Sequence, residues 1–295
     1  MNETYRTLRW SAWLGWQIES NWADLRLFVL YLVVKPICGS LMLVCMFYAA
    51  RTAADEMGSS AVRPEFLPFI YVSNACYGLV GTVMFGMSYV VISDRESYRM
   101  LKYIFISPAQ FQAYFVGRGI ARGLEGLFGG LVTLVAGLAI PEVRAALNLA
   151  NFDPLWLITF LAIGAVMLWS CGMILAAAML NMSRSGMFLS EGIAGVIYFL
   201  SGVVFPIASL PSWLQPVSMA LPTTYWLEGM RRSITGQPPP GSPLAGSPLD
   251  NLSTGEIALA LTASTLVLTV ISQWFYRYSL TKAWKNGRLE ETTGM

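Results

Sequence analysis

The sequence predicts an all-α integral membrane protein with six transmembrane helices, an N-terminal amphipathic interfacial helix, and broken re-entrant helices between spans five and six. Hydrophobic residues make up 55% of the 295 residues and charged residues 12%, whereas soluble domains carry about 25% charged residues. The apolar residues are gathered into runs of roughly 20, the length that crosses a bilayer as a helix. No alternation of polar and apolar residues indicates a membrane barrel. Soluble folds and disordered chains are therefore excluded.

The six predicted spans are residues 28–50, 66–92, 111–140, 155–180, 187–205 and 257–275. Residues 1–27 precede them and contain Trp10, Trp13 and Trp16 at three-residue spacing, followed by Trp22. This spacing puts the tryptophans along one side of a helix, so we expect an amphipathic helix in the headgroup region. An irregular tail with interfacial tryptophans is the alternative. The segment lacks the apolar core and cleavage site of a secretory signal.

The distribution of the basic residues predicts the orientation. With the N-terminus in the cytoplasm, thirteen of the nineteen Lys and Arg residues fall on the cytoplasmic side and five on the other, and Lys35 lies inside the first span. The positive-inside rule therefore places both termini in the cytoplasm of a multi-pass protein in the cytoplasmic (inner) membrane. Residues 236–253, rich in Pro, Gly and Ser, become a flexible external loop. We expect a single domain over 1–295 and no nucleic-acid partner.

Several kinds of chemistry are missing from the sequence. Histidine is absent, and the four cysteines lie inside apolar runs, where they are expected to be small buried hydrophobes. None of the four lysines follows a glycine, so the chain contains no phosphate-binding P-loop. No nucleophile elbow or metal-ligand pair occurs either. We expect no catalytic residue, no metal site and no cofactor on this chain.

The connector between the second and third predicted spans is the first informative segment. Asp94 is predicted to cap a short helix over Arg95–Ile106, with Glu96 in its first turn. One side of that helix would carry Arg95, Arg99 and Lys102, and another Tyr98, Leu101 and Phe105. Ser107-Pro108 would end it. A short amphipathic helix on the positive side is suited to receive force from a cytoplasmic partner; an ordinary solvated loop is the alternative.

The second informative segment is rich in proline. Pro206, Pro211, Pro216 and Pro222 recur every five or six residues, a spacing that no single helix survives. The side chains between them are apolar: Phe205, Ile207, Leu210, Trp213, Leu214, Val217, Met219 and Leu221. Broken backbone at membrane depth must be covered by protein or line a cavity. We therefore expect short helices over 206–230 that dip into the outer leaflet and cap a translocation route; an apolar loop lying on the bilayer is the alternative.

Charges inside the apolar segments allow two interpretations. Glu125, Glu191 and Glu228 face a translocation route, or they form structural ion pairs such as Glu228 with Arg231. Lys35 is expected to snorkel toward the cytoplasmic headgroups. Four glycines at small-residue spacing in the third span (Gly119, Gly123, Gly126 and Gly130) indicate close helix packing.

These segments together resemble the permease subunit of ABC-2-type (type V fold) ABC transporters. The resemblance covers essentially the whole chain and is strongest over Ser201–Arg231, whose matching positions are Gly202, Phe205, Pro206, Leu210, Pro211, Pro222, Tyr225 and Arg231. The connector shares Asp94, Arg95 and Glu96 with the family pattern and departs from it at Ser97-Tyr98, where many relatives have Gly-Thr.

The resemblance implies a set of partners and roles. Such permeases pair as homodimers or heterodimers in the membrane lipid and dock two cytoplasmic ATPase subunits, which hold the ATP and Mg. Residues 94–107 would be the coupling helix, with the ATPase-coupling residues Asp94, Arg95, Glu96, Tyr98, Arg99, Leu101 and Lys102. The pathway or outer gate would involve Phe205, Pro206, Leu210, Pro211, Trp213, Pro222, Tyr225 and Glu228.

Three functions follow as hypotheses. The first is an ATP-driven exporter permease for an amphiphilic substrate such as a drug, a lipid or a lipid-linked glycan. The second is a secondary transporter driven by an ion gradient, with Glu125 and Glu191 as coupling carboxylates; the absence of a clear internal repeat disfavours it. The third, an integral-membrane enzyme, is disfavoured because the sequence offers no nucleophile or metal constellation.

Overall fold

The fold is a bundle of helices in a computed structural model that describes residues 3–21, 24–59, 62–107, 110–147, 151–182, 186–238 and 247–287. Throughout these ranges the chain forms helices and turns, without strands. Trp22, Pro108, Arg184 and the centre of the predicted external loop lie outside them. The helices are α1 (Glu3–Ser20), α2 (Leu25–Glu56), α3 (Phe66–Ser97), α4 (Leu101–Ile106), α5 (Phe111–Gly137), α6 (Pro141–Ala146), α7 (Pro154–Leu180), α8 (Gly186–Leu200), α9 (Gln215–Ala220), α10 (Pro222–Thr235) and α11 (Thr254–Lys285).

Five of the described helices are long and apolar enough to cross a membrane: α2, α3, α5, α7 and α11. They have 27 to 32 residues, which at 1.5 Å per residue gives about 40 to 48 Å, more than the roughly 30 Å of a hydrocarbon core. Each contains most of one predicted span. The all-helical, multi-pass membrane prediction is therefore confirmed, and several helices extend past the apolar runs into polar sequence.

The predicted fifth span, 187–205, corresponds to the shorter helix α8. Its 15 residues cover about 22 Å, less than a hydrocarbon core requires. The chain turns directly after it at Gly202, whose φ of +70° suits a residue without a side chain. The structure thus gives five candidate crossings among the described residues, and a sixth crossing through α8 stays a prediction.

The N-terminal segment forms a helix, α1, that packs along the first turns of α5. A side chain at Gly117 of α5 would lie 1.9 Å from the Ser11 hydroxyl, so glycine permits this close approach. Farther along, Glu19 pairs with Arg122 at 2.8 Å, which shows that the two helices run in the same direction. Trp10 and Trp13 are exposed, whereas Trp16 packs edge-on against Phe28. The helix prediction is confirmed over Glu3–Ser20, and its place at a membrane surface stays a prediction.

Helix α3 lies at the centre of the bundle, packed against α2, α5 and α7. Helices α7 and α11 pack along each other, and α10 contacts both of them as well as α3. We call the end of the bundle that contains α1 and α4 the connector end, and the end that contains α6 and α10 the loop end. At the loop end, α2 is joined to α3 and α6 by a buried cluster of Val44, Phe47, Leu67, Tyr71 and Val143.

Two of the long helices begin with side-chain caps. The Asp153 carboxylate accepts hydrogen bonds from the Leu155 and Trp156 amides at the start of α7. At the start of α11, Ser253 and Glu256 form a reciprocal capping box. Both caps lie beside the loop end, where they fix the points at which α7 and α11 begin.

The crossing of α7 and α10 depends on two glycines. A side chain at Gly164 would lie 2.0 Å from the Trp226 indole nitrogen, and one at Gly229 would lie 2.2 Å from the Phe160 ring. Trp226 is fully buried and donates its indole N–H to the Phe160 carbonyl at 2.9 Å. The backbones of α7 and α10 therefore approach closely, and α10 packs tightly against the long helix α7.

The substitution Gly164→Ala tests this crossing. The added methyl group displaces Trp226, and overpacking of this kind costs about 1–3 kcal/mol, so we expect a lower thermal unfolding midpoint of the purified chain. Gly192→Ala in α8 is the matched control, because a side chain there meets nothing within 4 Å. Equal stability of the two variants would contradict the assigned packing.

Candidate functional site

The connector between α3 and α5 differs from its predicted form. Helix α3 continues to Ser97, with π-helical stretches at Val80–Phe85 and Ser93–Ser97, and a separate helix α4 begins only at Leu101. Arg99 between them has φ 51°, in the left-handed region that reverses the chain direction. The prediction of one helix over 95–106 capped by Asp94 is wrong, because Asp94 and Arg95 are still part of α3.

Asp94 is fully buried at the connector end of α3. Its carboxylate accepts a hydrogen bond of 2.7 Å from the Tyr114 hydroxyl and forms an ion pair of 3.7 Å with Arg118, which is also buried. Tyr114 and Arg118 lie one turn apart on α5, so both face the same carboxylate. Asp94 therefore ties α3 to α5.

Arg95 ties α3 to a different helix. Its guanidinium donates to the Met179 carbonyl at 3.3 Å and to the Met182 carbonyl at 2.9 Å, at the end of α7. The last carbonyls of a helix have no partner within the helix and carry partial negative charge, so a cation there stabilises the end. Glu96 adds an ion pair of 3.4 Å. Arg95 is thus buried in the fold, not displayed on the surface of the connector.

Helix α4 places one side chain in the core and others at the surface. Leu101 is 1% exposed and belongs to the main apolar cluster. Tyr98, Arg99, Tyr103 and Ile106 are exposed, with Tyr103 at 61% and Ile106 at 77%, and the Lys102 ammonium lies 5.4 Å from the centre of the Tyr103 ring. We call Tyr98, Arg99, Tyr103 and Ile106 the connector surface. It is an aromatic and apolar patch beside a buried anchor.

A further charged group lies where α1 meets α5. Arg122 pairs with Glu19 at 2.8 Å and with Glu125 at 3.2 Å. Burial raises the pKa of the Glu19 carboxyl, and the Arg122 guanidinium opposes that rise. Glu125 is therefore a member of an ion pair, whereas Glu191 is exposed on α8. Among the described residues these two carboxylates share no hydrogen-bond partner.

The proline-rich stretch forms short helical pieces at the loop end: a turn at Ile207–Ser209, then α9 and α10. Pro206 and Pro211 lie between helical pieces, Pro216 lies in the first turn of α9, and Pro222 begins α10. The absence of one continuous helix agrees with the sequence prediction, while re-entry into a bilayer stays a prediction. Of the predicted gate residues, Pro206 and Leu210 are buried, and Phe205 packs edge-on against Phe199. The others differ in exposure: Pro211 and Trp213 are exposed, Tyr225 is half-buried, and Pro222 starts α10.

Glu228 forms a buried cluster with two arginines of α10. Its carboxylate accepts from Arg231 at 2.6 Å and from Arg232 at 2.7 Å. Arg231 also donates to the Ser73 hydroxyl and the Gly202 carbonyl, and Arg232 donates to carbonyls of 249 and 252. The ion-pair interpretation of Glu228 and Arg231 is confirmed. Burial alone would raise the pKa of the Glu228 carboxyl, but the two guanidinium groups outweigh it and hold that pKa below its usual range.

Sequence reasoning missed several members of these clusters. From the sequence, Arg118 counts only among the cytoplasmic basic residues and Tyr114 receives no role, although a tyrosine and an arginine one helical turn apart in an apolar run are a polar pair that needs a partner. Arg232 and Ser73 were missed because their partners come from other parts of the chain. Tyr103 and Ile106 were missed because α4 is rotated relative to the helix that the sequence predicted.

The substitution Glu228→Gln tests the loop-end cluster. It leaves two buried arginines without their counter-charge, and breaking a buried pair from one side costs about 3–5 kcal/mol, so the unfolding midpoint should fall sharply. Glu56→Gln makes the same chemical change at an exposed position at the end of α2 and should have little effect. A Glu228→Gln variant as stable as Glu56→Gln would contradict the structural role of the cluster.

Comparison with known proteins identifies the family of the chain. The family model described as "ABC-2 type transporter" matches residues 9–235, which run from within α1 to the end of α10. No curated protein matches the chain. The match covers both the connector and the loop-end cluster, and most of the chain. The protein therefore belongs to the ABC-2 type transporter family as a permease component.

Proposed function

We propose that this chain is the transmembrane permease subunit of an ATP-driven exporter, whose ATP is hydrolysed on separate cytoplasmic subunits. The observation that carries the proposal is the connector surface, in which exposed aromatic and apolar side chains and Arg99 lie on and just before the short helix α4, itself anchored in the bundle by Leu101. Exposed apolar patches of this kind mark interaction sites. Family membership supports an ABC-type ATPase as the partner.

The anchoring of the connector supports a role in transmitting force. Leu101 fixes α4 to the core, and Asp94 and Arg95 lie a few residues before it. A displacement of α4 therefore acts on α3 and, through these two side chains, on α5 and α7. In this proposal Asp94, Arg95 and Leu101 are positioning residues, while Tyr98, Arg99, Tyr103 and Ile106 contact the ATPase. Glu96 and Lys102 lie at the edge between the two groups.

The connector end also indicates the orientation of the protein in the membrane. Helices α1 and α4 lie at one end of the bundle, and most basic residues outside the spans fall in the segments at this end. The connector end is then cytoplasmic and the loop end external. In the inner membrane this arrangement puts the connector surface within reach of a soluble ATPase.

The permease would act as a homodimer or a heterodimer, with the substrate leaving between the two copies. The loop-end segments, including Phe205, Trp213 and Tyr225, would form the outer gate, with the Glu228 cluster as its rigid base. An amphiphilic substrate, such as a drug, a lipid or a lipid-linked glycan, suits a route bordered by apolar helices. Half-exposed aromatic side chains at the loop end support this assignment of the gate.

A transporter driven by an ion gradient is the alternative. It needs titrating carboxylates along a route, and Glu125 is instead paired with Arg122. The two proposals differ in liposomes: the exporter transports only with the ATPase and ATP, while the alternative transports with the chain alone under a gradient.

The substitution Ile106→Asp tests the docking role. A charge at the centre of an apolar contact should weaken binding of the proposed ATP-binding partner subunit by about tenfold or more. Titration of labelled ATPase onto the permease in nanodiscs measures this binding. Tyr103→Asp should give the same result.

Met57→Asp is the control, since Met57 is also 77% exposed but lies at the loop end, beyond α2. It should leave ATPase binding unchanged. If Ile106→Asp and Tyr103→Asp bind the ATPase as tightly as wild type and as Met57→Asp do, the proposed docking surface is refuted.

A further inference from the structure

A cleft of about 570 Å³ lies between α2, α3 and α5, apart from the Asp94 junction and the Glu228 cluster, and its lining includes Arg122 and Glu125. Its volume falls within the 300–1,000 Å³ of ordinary ligand sites. Helix α2 contributes Tyr31, Lys35 and Gly39 to one wall, and the other walls come from the glycine-rich faces of α3 and α5. Toward the loop end the cleft gives way to the buried cluster that joins α2 to α3.

The cleft contains space that the chain's own atoms do not fill. A side chain built at Gly39, Gly78 or Gly81 would meet no atom within 4 Å. A glycine inside a helix is less favourable than an alanine, and at these three positions no packing within the chain requires it. By contrast, a side chain at Gly126 in the same cleft would collide with Thr82, so that glycine serves helix packing.

Lys35 gives the cleft its chemical character. Its ammonium lies 2.8 Å from the Tyr31 hydroxyl, one turn closer to the connector end. Among the described residues no carboxylate lies within ion-pair distance of it. The other charges of the cleft, Arg122 and Glu125, pair with each other, and Glu19 also binds Arg122. Lys35 is exposed at the wall of the cleft, so its ammonium is a positive charge with no carboxylate partner among the described residues and is accessible to an anion from outside the chain.

We propose that this cleft binds an anionic phospholipid, with the phosphate against Lys35 and Tyr31 and one acyl chain along Gly39, Gly78 and Gly81. Basic pockets between transmembrane helices on the cytoplasmic side recognise anionic headgroups in this way. The apolar, glycine-lined part of the cleft accepts a flexible hydrocarbon chain.

A helix from a second copy of the chain fits the cleft less well. With a diameter of about 10 Å, a helix fills roughly 400 Å³ per turn, so 570 Å³ takes little more than one turn. An acyl chain is narrower and needs no hydrogen-bond partners along its length. Charge and volume together favour the lipid.

The test uses the full chain alone, without ATPase, so that its outcome is independent of the proposed transport function. The purified, delipidated protein is titrated with dioleoyl phosphatidylglycerol or dioleoyl phosphatidylcholine, and bound lipid is counted by native mass spectrometry. Wild type should prefer phosphatidylglycerol. Lys35→Met should lose about fivefold in phosphatidylglycerol affinity and with it the preference, whereas Gly81→Leu, which fills the cleft, should weaken both lipids by about tenfold.

Two matched controls separate the site from general effects. Lys282→Met removes another lysine that lies near a tyrosine ring, at Tyr278, and Gly195→Leu adds the same side chain at an open position of α8. Neither should change lipid binding. Thermal unfolding of each variant checks folding, and Gly39→Leu replaces Gly81→Leu if the latter is unstable. The proposal is overturned if Lys35→Met or the cleft-filling variant binds lipid as wild type does. It is also overturned if the control variants lose as much lipid affinity as the cleft variants.

Discussion

The connector end depends on one constraint: two adjacent residues of opposite charge connect α3 to its neighbouring helices. Asp94 binds Tyr114 and Arg118 of α5, and Arg95 binds the last carbonyls of α7. A single peptide unit thus joins three long helices. Removing either charge would leave a buried partner unsatisfied, which is far more costly than losing a surface pair. Three residues separate Ser97 from the start of the short helix α4, so this junction sets the position of α4.

The loop end is built on the same physical principle with other elements. Glu228 neutralises Arg231 and Arg232, which also donate to the Ser73 hydroxyl and to backbone carbonyls. Described residues of the predicted flexible loop belong to this cluster, because Arg232 donates hydrogen bonds to the carbonyls of Leu249 and Leu252 just before α11 begins. Between the two charged ends, small residues such as Gly119 and Gly172 let α5 and α7 pack closely against Met87 of α3. Rigid ends and a tightly packed middle suit a subunit that transmits a displacement along its length.

The spans were predictable because apolar runs of 20 residues have few alternatives, and the proline spacing alone indicated the broken segment at the loop end. The role of Asp94 was not predictable in the same way. Ahead of a basic segment it looks like a helix cap, and only the packing of α5 against α3 brings Tyr114 and Arg118 to it. Arg95 was assigned to a surface for the same reason, since its partners are carbonyls 84 and 87 residues away. The reduced length of α8 and the empty space at Gly78 and Gly81 likewise depend on contacts between helices, which composition does not encode.

The central claim is that α4 is where the ATPase meets the permease and that its motion reaches α3. Hydrogen–deuterium exchange of the permease in nanodiscs, with and without the proposed partner ATPase and with a non-hydrolysable ATP analogue, tests it most directly. We expect amides 98–107 to become protected when the ATPase binds, and the exchange of the amides around Asp94 to change when the nucleotide is added. Unchanged exchange in 98–107, with protection elsewhere in the chain, would contradict it.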